Sequence, residues 1–250
     1  MTLSPMDRRR FLRQGAALAA GATIGTSLLA AQHPQAAGPT AAPAKKDGHA
    51  DPGAAITAQQ ALEQLLEGNE RFARGRMKHG HSSREWREAV AKGQRPYATI
   101  IGCADSRVPP EILFDQGLGD LFVIRVAGQA VDQNLLGSFQ YAGLHLRTPL
   151  CVVLGHERCG AVQAALMAKL GKLDEPEQLE GLVKDIVPAF EGLSLDLPEA
   201  QLMDLAVEQN VRHQLFRVMK ASGTGVLGRM SEAMVGMTYD LDTGRVRLLM

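Results

Sequence analysis

Three short apolar runs govern what this chain can fold into. Residues 97–101 (Tyr-Ala-Thr-Ile-Ile), 121–125 (Leu-Phe-Val-Ile-Arg) and 150–154 (Leu-Cys-Val-Val-Leu) are nearly continuous in apolar side chains. Each is too short for a helix and shows no polar alternation, as strands buried on both faces do. Helical stretches separate them, 110–114 opening on Pro110 and the longer 134–146. Strand, helix, strand, helix, strand predicts an α/β fold with a central, mostly parallel β-sheet flanked by helices. Upstream, Thr57 can cap a helix whose apolar positions Ala61, Leu62, Leu65 and Leu66 follow the helical period. That helix ends near Gly68 or Gly75 and forms an N-terminal helical arm, followed by a short helix over 86–91. Downstream, helices are expected over 161–170, 178–190 and 198–219. Residues 234–241, an Asp-Thr-Gly turn and residues 245–249 read as a C-terminal β-hairpin.

The folded domain is expected to occupy 56–250. Before it, Arg8, Arg9 and Arg10 precede Phe11 and Leu12, and a mild apolar run of Ala, Gly, Thr, Ile and Leu fills 15–31. This resembles a twin-arginine export signal over 1–31, which implies a periplasmic or otherwise exported protein handled by the twin-arginine machinery. The many Gly and Ala residues make the run a poor membrane span. Residues 32–55, rich in Ala, Pro and Gly, read as a linker. Cleavage after Ala44 fits the small-residue rule, as does an earlier site.

With Lys+Arg and Asp+Glu balanced at 27 each, there is no broad basic field to hold nucleic acid or an anionic membrane. The three cysteines, Cys103, Cys151 and Cys159, are too few and too irregular for a disulfide framework. Cys151 falls within a strand and reads as core. The other two lie at strand ends, where open α/β sheets bind ligands. After the first strand comes Cys103-Ala104-Asp105-Ser106-Arg107. In extended backbone Cys103, Asp105 and Arg107 would share a face. After the third comes His156-Glu157-Arg158-Cys159-Gly160, where a spacing of three would set His156 and Cys159 on one side of a helical turn. Two thiolates and an imidazole suit Zn²⁺ and leave one coordination position open. Ser106 reads as a turn residue, and Pro109-Pro110 as the start of the next helix.

Cys-x-Asp-Ser-Arg, followed by His-x-x-Cys-Gly, resembles the β-class carbonic anhydrases. The likeness extends from Gly68-Asn69-x-x-Phe72 through Arg125-Val126-Ala127-Gly128 to the stretch from Tyr239 to Gly244. The resemblance implies one zinc per subunit on Cys103, His156 and Cys159, with water or hydroxide as fourth ligand. The reaction it implies is reversible hydration of CO₂ to bicarbonate. In that setting Asp105 would orient the water, Arg107 would keep Asp105 ionised and off the metal, and the Gly160 N–H would donate to the developing oxyanion. Gln94, Phe122 and Tyr141 resemble substrate-binding positions of the plant-like branch. Walls shared between subunits imply a homodimer or a higher even-numbered homo-oligomer. Branches with an inhibitory bicarbonate site place a Trp where this chain has Ile100, so an open site is expected.

Gln140 and Gln129 depart from the family's usual Glu and Asn and leave the proton path open. His79 and His81 could serve it or simply be solvated. Two other readings fit the same ligands, a hydrolase of a sulfur analogue of CO₂ and a non-catalytic zinc- or bicarbonate-binding protein. Asp105, Arg107 and Gly160 argue against the second, since storage needs no water-orienting carboxylate.

Overall fold

A computed structural model describes residues 56–172, 177–222 and 233–249. The export signal and linker expected over 1–55 lie outside the described residues. Helix α1 (Ala58–Ala73) begins where Thr57 closes a capping box. The Gln60 N–H donates to the Thr57 hydroxyl at 3.2 Å, and the Thr57 N–H donates to Gln60 Oε1 at 2.8 Å. Ala61 and Leu65 are buried, with Leu62 and Leu66 packed beside them. The helix runs through Gly68, because that position needs a missing side chain rather than a chain break. A Cβ there would lie 1.8 Å from the Phe114 carbonyl oxygen. Asn69 continues the docking: its Nδ2 donates to the carbonyls of Leu113 (3.1 Å) and Gly244 (2.9 Å), and its Oδ1 accepts from the Val246 N–H (2.9 Å). One Gly-Asn pair thus ties the arm to the helix after the first strand and to the C-terminal turn.

The short α2 (Arg84–Val90) is capped by Ser83. Then follow β1 (Ala98–Gly102), α3 (Pro110–Leu113), β2 (Leu121–Arg125), a 3₁₀ turn (Ala127–Gln129), α4 (Gln133–Tyr141) and β3 (Leu150–His156). Helices α5 (Gly160–Lys169), α6 (Glu177–Ile186) and α7 (Glu199–Ser222) lead to β4 (Met234–Tyr239) and β5 (Val246–Leu249). The sheet order is β2-β1-β3-β4-β5, parallel except for the final antiparallel pair, which is the expected hairpin. All residues of β1 and β3 are buried, and their side chains alternate between two cores. Ile100, Val152 and Leu154 pack with Leu65, Val162 and Ile186. Ile101, Cys151 and Val153 pack on the opposite face with Phe139, Val211 and Val218. Burial pushes the Cys151 thiol up to about 12, in keeping with its reading as core.

Several boundaries differ from the sequence expectation. Strand β3 runs past residue 154 because β4 continues alongside it, pairing Gly155 with Thr238 and His156 with Tyr239. The helix expected over 134–146 is α4 followed by a π-helical turn (Ala142–Leu146) that ends on left-handed Arg147. Pro188 has no N–H to donate, and the helix expected over 178–190 tightens into a 3₁₀ turn (Val187–Phe190) there.

Candidate active site

Strands β1 and β3 are neighbours in parallel register, with Gly102 opposite Leu154. Whatever follows Gly102 therefore emerges beside the end of β3, and Cys103 meets His156 across about fifty residues of sequence. His156 is itself the last strand residue. Arg158 then adopts left-handed backbone (φ 51°), and the chain reverses into α5 with Cys159 as its N-cap. The spacing of three is thus a strand end, a left-handed turn and a cap, not the helical turn expected from sequence. It still brings both side chains to one point. The donor atoms of Cys103, His156 and Cys159 all lie within 4.8 Å of one another, and the three residues are 4%, 1% and 2% exposed.

This donor set fits zinc. The two sulfurs are 3.9 Å apart, and tetrahedral Zn–S bonds of about 2.3 Å would set two thiolates roughly 3.8 Å apart. His156 Nδ1 sits 2.8 Å from the Glu157 carbonyl, which can only accept, so Nδ1 carries the proton. That leaves Nε2 with its lone pair, buried and without a hydrogen-bond partner among the described residues. An unpaired nitrogen there is costly unless something coordinates it. The Cys103 thiol is lowered to about 4 by its hydrogen bond with Cys159, working against burial and helped by His156 and by the N–H groups of Asp105 (3.4 Å) and Gly128 (3.2 Å). Cys159 moves the other way, held up by the adjacent Cys103 and by burial.

Beside the donors, the chain turns rather than staying extended. Asp105 accepts from the Val108 N–H at its carbonyl, and its carboxylate takes Arg107 three times: N–H at 2.9 Å, Nε at 3.0 Å and the terminal nitrogen at 2.7 Å. Arg107 reaches its partner by this turn, not by sharing an extended face with Cys103. Its guanidinium holds the Asp105 carboxyl well below the usual carboxylate range. Asp105 Oδ2 stops 3.9 Å from His156 Nε2. Gly160 is the first residue of α5 and is exposed, and beyond its chain neighbours and its own helix backbone no described residue lies within 4 Å of where a Cβ would stand.

Other expected residues lie elsewhere in the chain. Gln94 is exposed in the loop that leads into β1. Phe122 is paired with Thr99, well below the donor cluster, and its ring lies 6.1 Å from that of Tyr141, which is 47% exposed. Phe122 and Tyr141 thus lie together, away from the strand end that carries the donors. His81 is engaged by Asp120 (2.7 and 2.9 Å) and stacks on Trp86 at 3.8 Å, whereas His79 is exposed. Gln129 is buried, and its side-chain amide has no partner among the described residues.

One contributor had no role assigned from sequence. Arg125, the last residue of β2, stands opposite Gly102, and its Nε donates to the Cys103 carbonyl at 2.8 Å and its terminal nitrogen to the Asp105 carbonyl at 2.5 Å. It braces the loop that carries both functional side chains. The signal was present as Arg125-Val126-Ala127-Gly128, but its purpose depends on the pairing of β1 with β2.

A carbonic anhydrase family model matches residues 98–246. Carbonic anhydrase 2 of Mycobacterium tuberculosis is 43% identical over 192 residues, covering 75% of this chain and 91% of that protein. A carbonic anhydrase of Mycolicibacterium smegmatis is 44% identical over 199 residues, with the same shares of each chain. Among solved structures, the Coccomyxa β-carbonic anhydrase in complex with acetazolamide superposes with a TM-score of 0.59 at 28% identity, covering 75% of this chain and 86% of that one. By the family match, these relatives and the shared fold, the chain belongs to the β-carbonic anhydrase family.

Proposed function

We propose that this protein catalyses the reversible hydration of CO₂ to bicarbonate and a proton, with one zinc ion per subunit held by Cys103, His156 and Cys159. The observation that carries the reading is three buried donors at zinc spacing, one of them an imidazole nitrogen with no partner among the described residues, with an arginine-locked carboxylate 3.9 Å away. Bound there, zinc would supply the Lewis acidity that makes a nucleophile from water near neutral pH.

The chain's own groups do the rest. Asp105 has its carboxylate tied down by Arg107, which keeps it ionised and withholds it from the metal position. It can then accept a hydrogen bond from the attacking water and aim a lone pair at the substrate carbon. The Gly160 N–H, at the start of a ten-residue helix, can donate to an oxygen that gains charge as bicarbonate forms. Ile100 is buried in β1, in the plain core role expected of an open site without an inhibitory Trp.

The substrate-binding positions follow the plant-like branch. Phe122, Tyr141 and Gln94 serve a neighbouring subunit's site within a homodimer or larger even-numbered assembly. Two features support this: β2 is an edge strand, and Tyr141 with Leu144 leaves apolar surface uncovered beside it. The arginine cluster at Arg8, Arg9 and Arg10 supports export by the twin-arginine route. That route passes folded proteins, so zinc could be loaded in a reducing compartment before the thiolates meet oxidant.

Stopped-flow CO₂ hydration on zinc-assayed protein tests the reaction. Wild type should be active, and Asp105→Ala should lose about 100-fold in kcat while retaining its zinc. Zinc-replete wild type without hydration activity would reject the enzyme reading.

A further inference from the structure

Helix α7 carries two amides in its buried face, Asn210 and Gln214, both fully buried among Val207, Val211 and Val218. Burying amides is costly unless each is paired, and both of these are. Asn210 Nδ2 donates to the Gly128 carbonyl at 2.9 Å. Gln214 Nε2 donates to Asn210 Oδ1 at 2.9 Å, fixing which end of Asn210 faces Gly128. Gln214 also donates to the Asp185 carbonyl (2.9 Å) and accepts the Val131 N–H at its Oε1 (3.0 Å). The two side chains hold the centre of the Ala127–Gln129 turn, at the Gly128 carbonyl, and the chain just after it, at the Val131 N–H.

Gly128, at the centre of that turn, has a left-handed φ of 62°, and its N–H donates to Cys103 Sγ at 3.2 Å. A Cβ at this position would come within 2.7 Å of Ile186 Cδ1 and 3.0 Å of Ala161 Cβ, so the residue is also confined sideways. The same glycine is thus held on one side by an α7 amide and presents its N–H to a thiolate on the other.

We propose that Asn210, oriented by Gln214, is a positioning residue that holds the Gly128 N–H on the Cys103 sulfur and so tunes that thiolate as a metal ligand. An N–H···S bond withdraws charge from the sulfur and fixes its orientation, which matters where two thiolates already offset most of the metal's charge. The inference rests on the zinc assignment to Cys103, His156 and Cys159, and its failure can be told apart from failure of that assignment.

The test uses the full chain in zinc-loaded and cobalt-substituted forms, with Asn210→Leu, the milder Asn210→Ser, and Val218→Ala as a control that opens a cavity in the same helix. Both Asn210 variants should surrender zinc to a chelator with about 10- to 100-fold weaker affinity, the usual cost of losing a partner behind a metal ligand. Their thiolate-to-cobalt charge-transfer band should move to longer wavelength, because a sulfur relieved of its donor gives up an electron more easily. Val218→Ala should lose stability with neither change. Folded Asn210 variants with wild-type zinc retention and an unmoved band would overturn the proposal, as would an equal band shift in Val218→Ala. Amide exchange in the wild-type zinc protein supplies a reading that needs no variant: the Gly128 N–H should exchange slowly, and exchange at the rate of an exposed amide would also overturn the idea. Wild type that binds no zinc would instead reject the metal assignment itself.

Discussion

At the residue scale, Arg107 decides what Asp105 can do. A planar guanidinium meets both carboxylate oxygens at 3.0 and 2.7 Å, which a lysine ammonium cannot reproduce. Arg107→Lys should therefore lower kcat by about tenfold, the equivalent of one charge-assisted hydrogen bond, with zinc content by metal assay unchanged. Gln129 makes the opposite case. Its amide is buried beside Gly155 and Val211 with no partner among the described residues, and its backbone is already left-handed at φ 44°. Gln129→Met keeps the length and removes the buried polar atoms, so urea unfolding should show a gain of about 1–3 kcal/mol. A loss of stability would mean that the amide is satisfied in solution.

At the element scale, one buried acid ties the arm and the loop after it to the end of α3. Asp115, after α3, accepts from Arg71 Nε of α1 at 2.6 Å and from the N–H groups of Lys78 and His79 at 3.0 to 3.1 Å. Burial alone would raise its carboxyl, but the Lys78 N–H, Arg71 and the His79 N–H together take it below its ordinary value. A carboxyl lowered on folding contributes stability that is fully present above the unfolded value near pH 4, and that stability is lost as pH falls through the lower folded value. Asp115→Asn should cost about 3 kcal/mol at pH 7, measured by denaturant unfolding. The gap to wild type should narrow as pH drops below about 4, where the unfolded chain takes up the proton first, and further as the folded carboxyl is protonated at lower pH. A gap that stays constant down to pH 2 would show that the charge is not what holds the arm.

At the scale of the whole molecule, the apolar surface around Tyr141 and Leu144 lies beside the half-buried edge strand β2, and the position of Phe122 and Tyr141 makes sense if a partner uses them. Tyr141→Arg should yield monomers by analytical ultracentrifugation, with zinc retained and hydration lost. Mixing inactive Asp105→Ala with Tyr141→Ala subunits should recover activity, since one site of each mixed dimer would then be intact; no recovery would place each complete site within one chain. The apolar runs and their intervening helices determined the parallel sheet by themselves, because a strand without alternation must be covered on both faces. The donor residues were legible too, since zinc selects thiolate and imidazole by chemistry. The path between them was not. Whether His156 and Cys159 meet through a helix or through a left-handed Arg158 depends on β4 extending β3 to His156, a pairing between segments far apart in sequence. The roles of Arg125, Gly128, Asn210 and Gln214 were likewise decided only in three dimensions. Local sequence specifies which groups can bind a metal, and only strand register and helix packing bring distant donors, the Gly128 N–H and the side chains of Arg125 and Asn210, to the sulfur and carbonyl groups that need them.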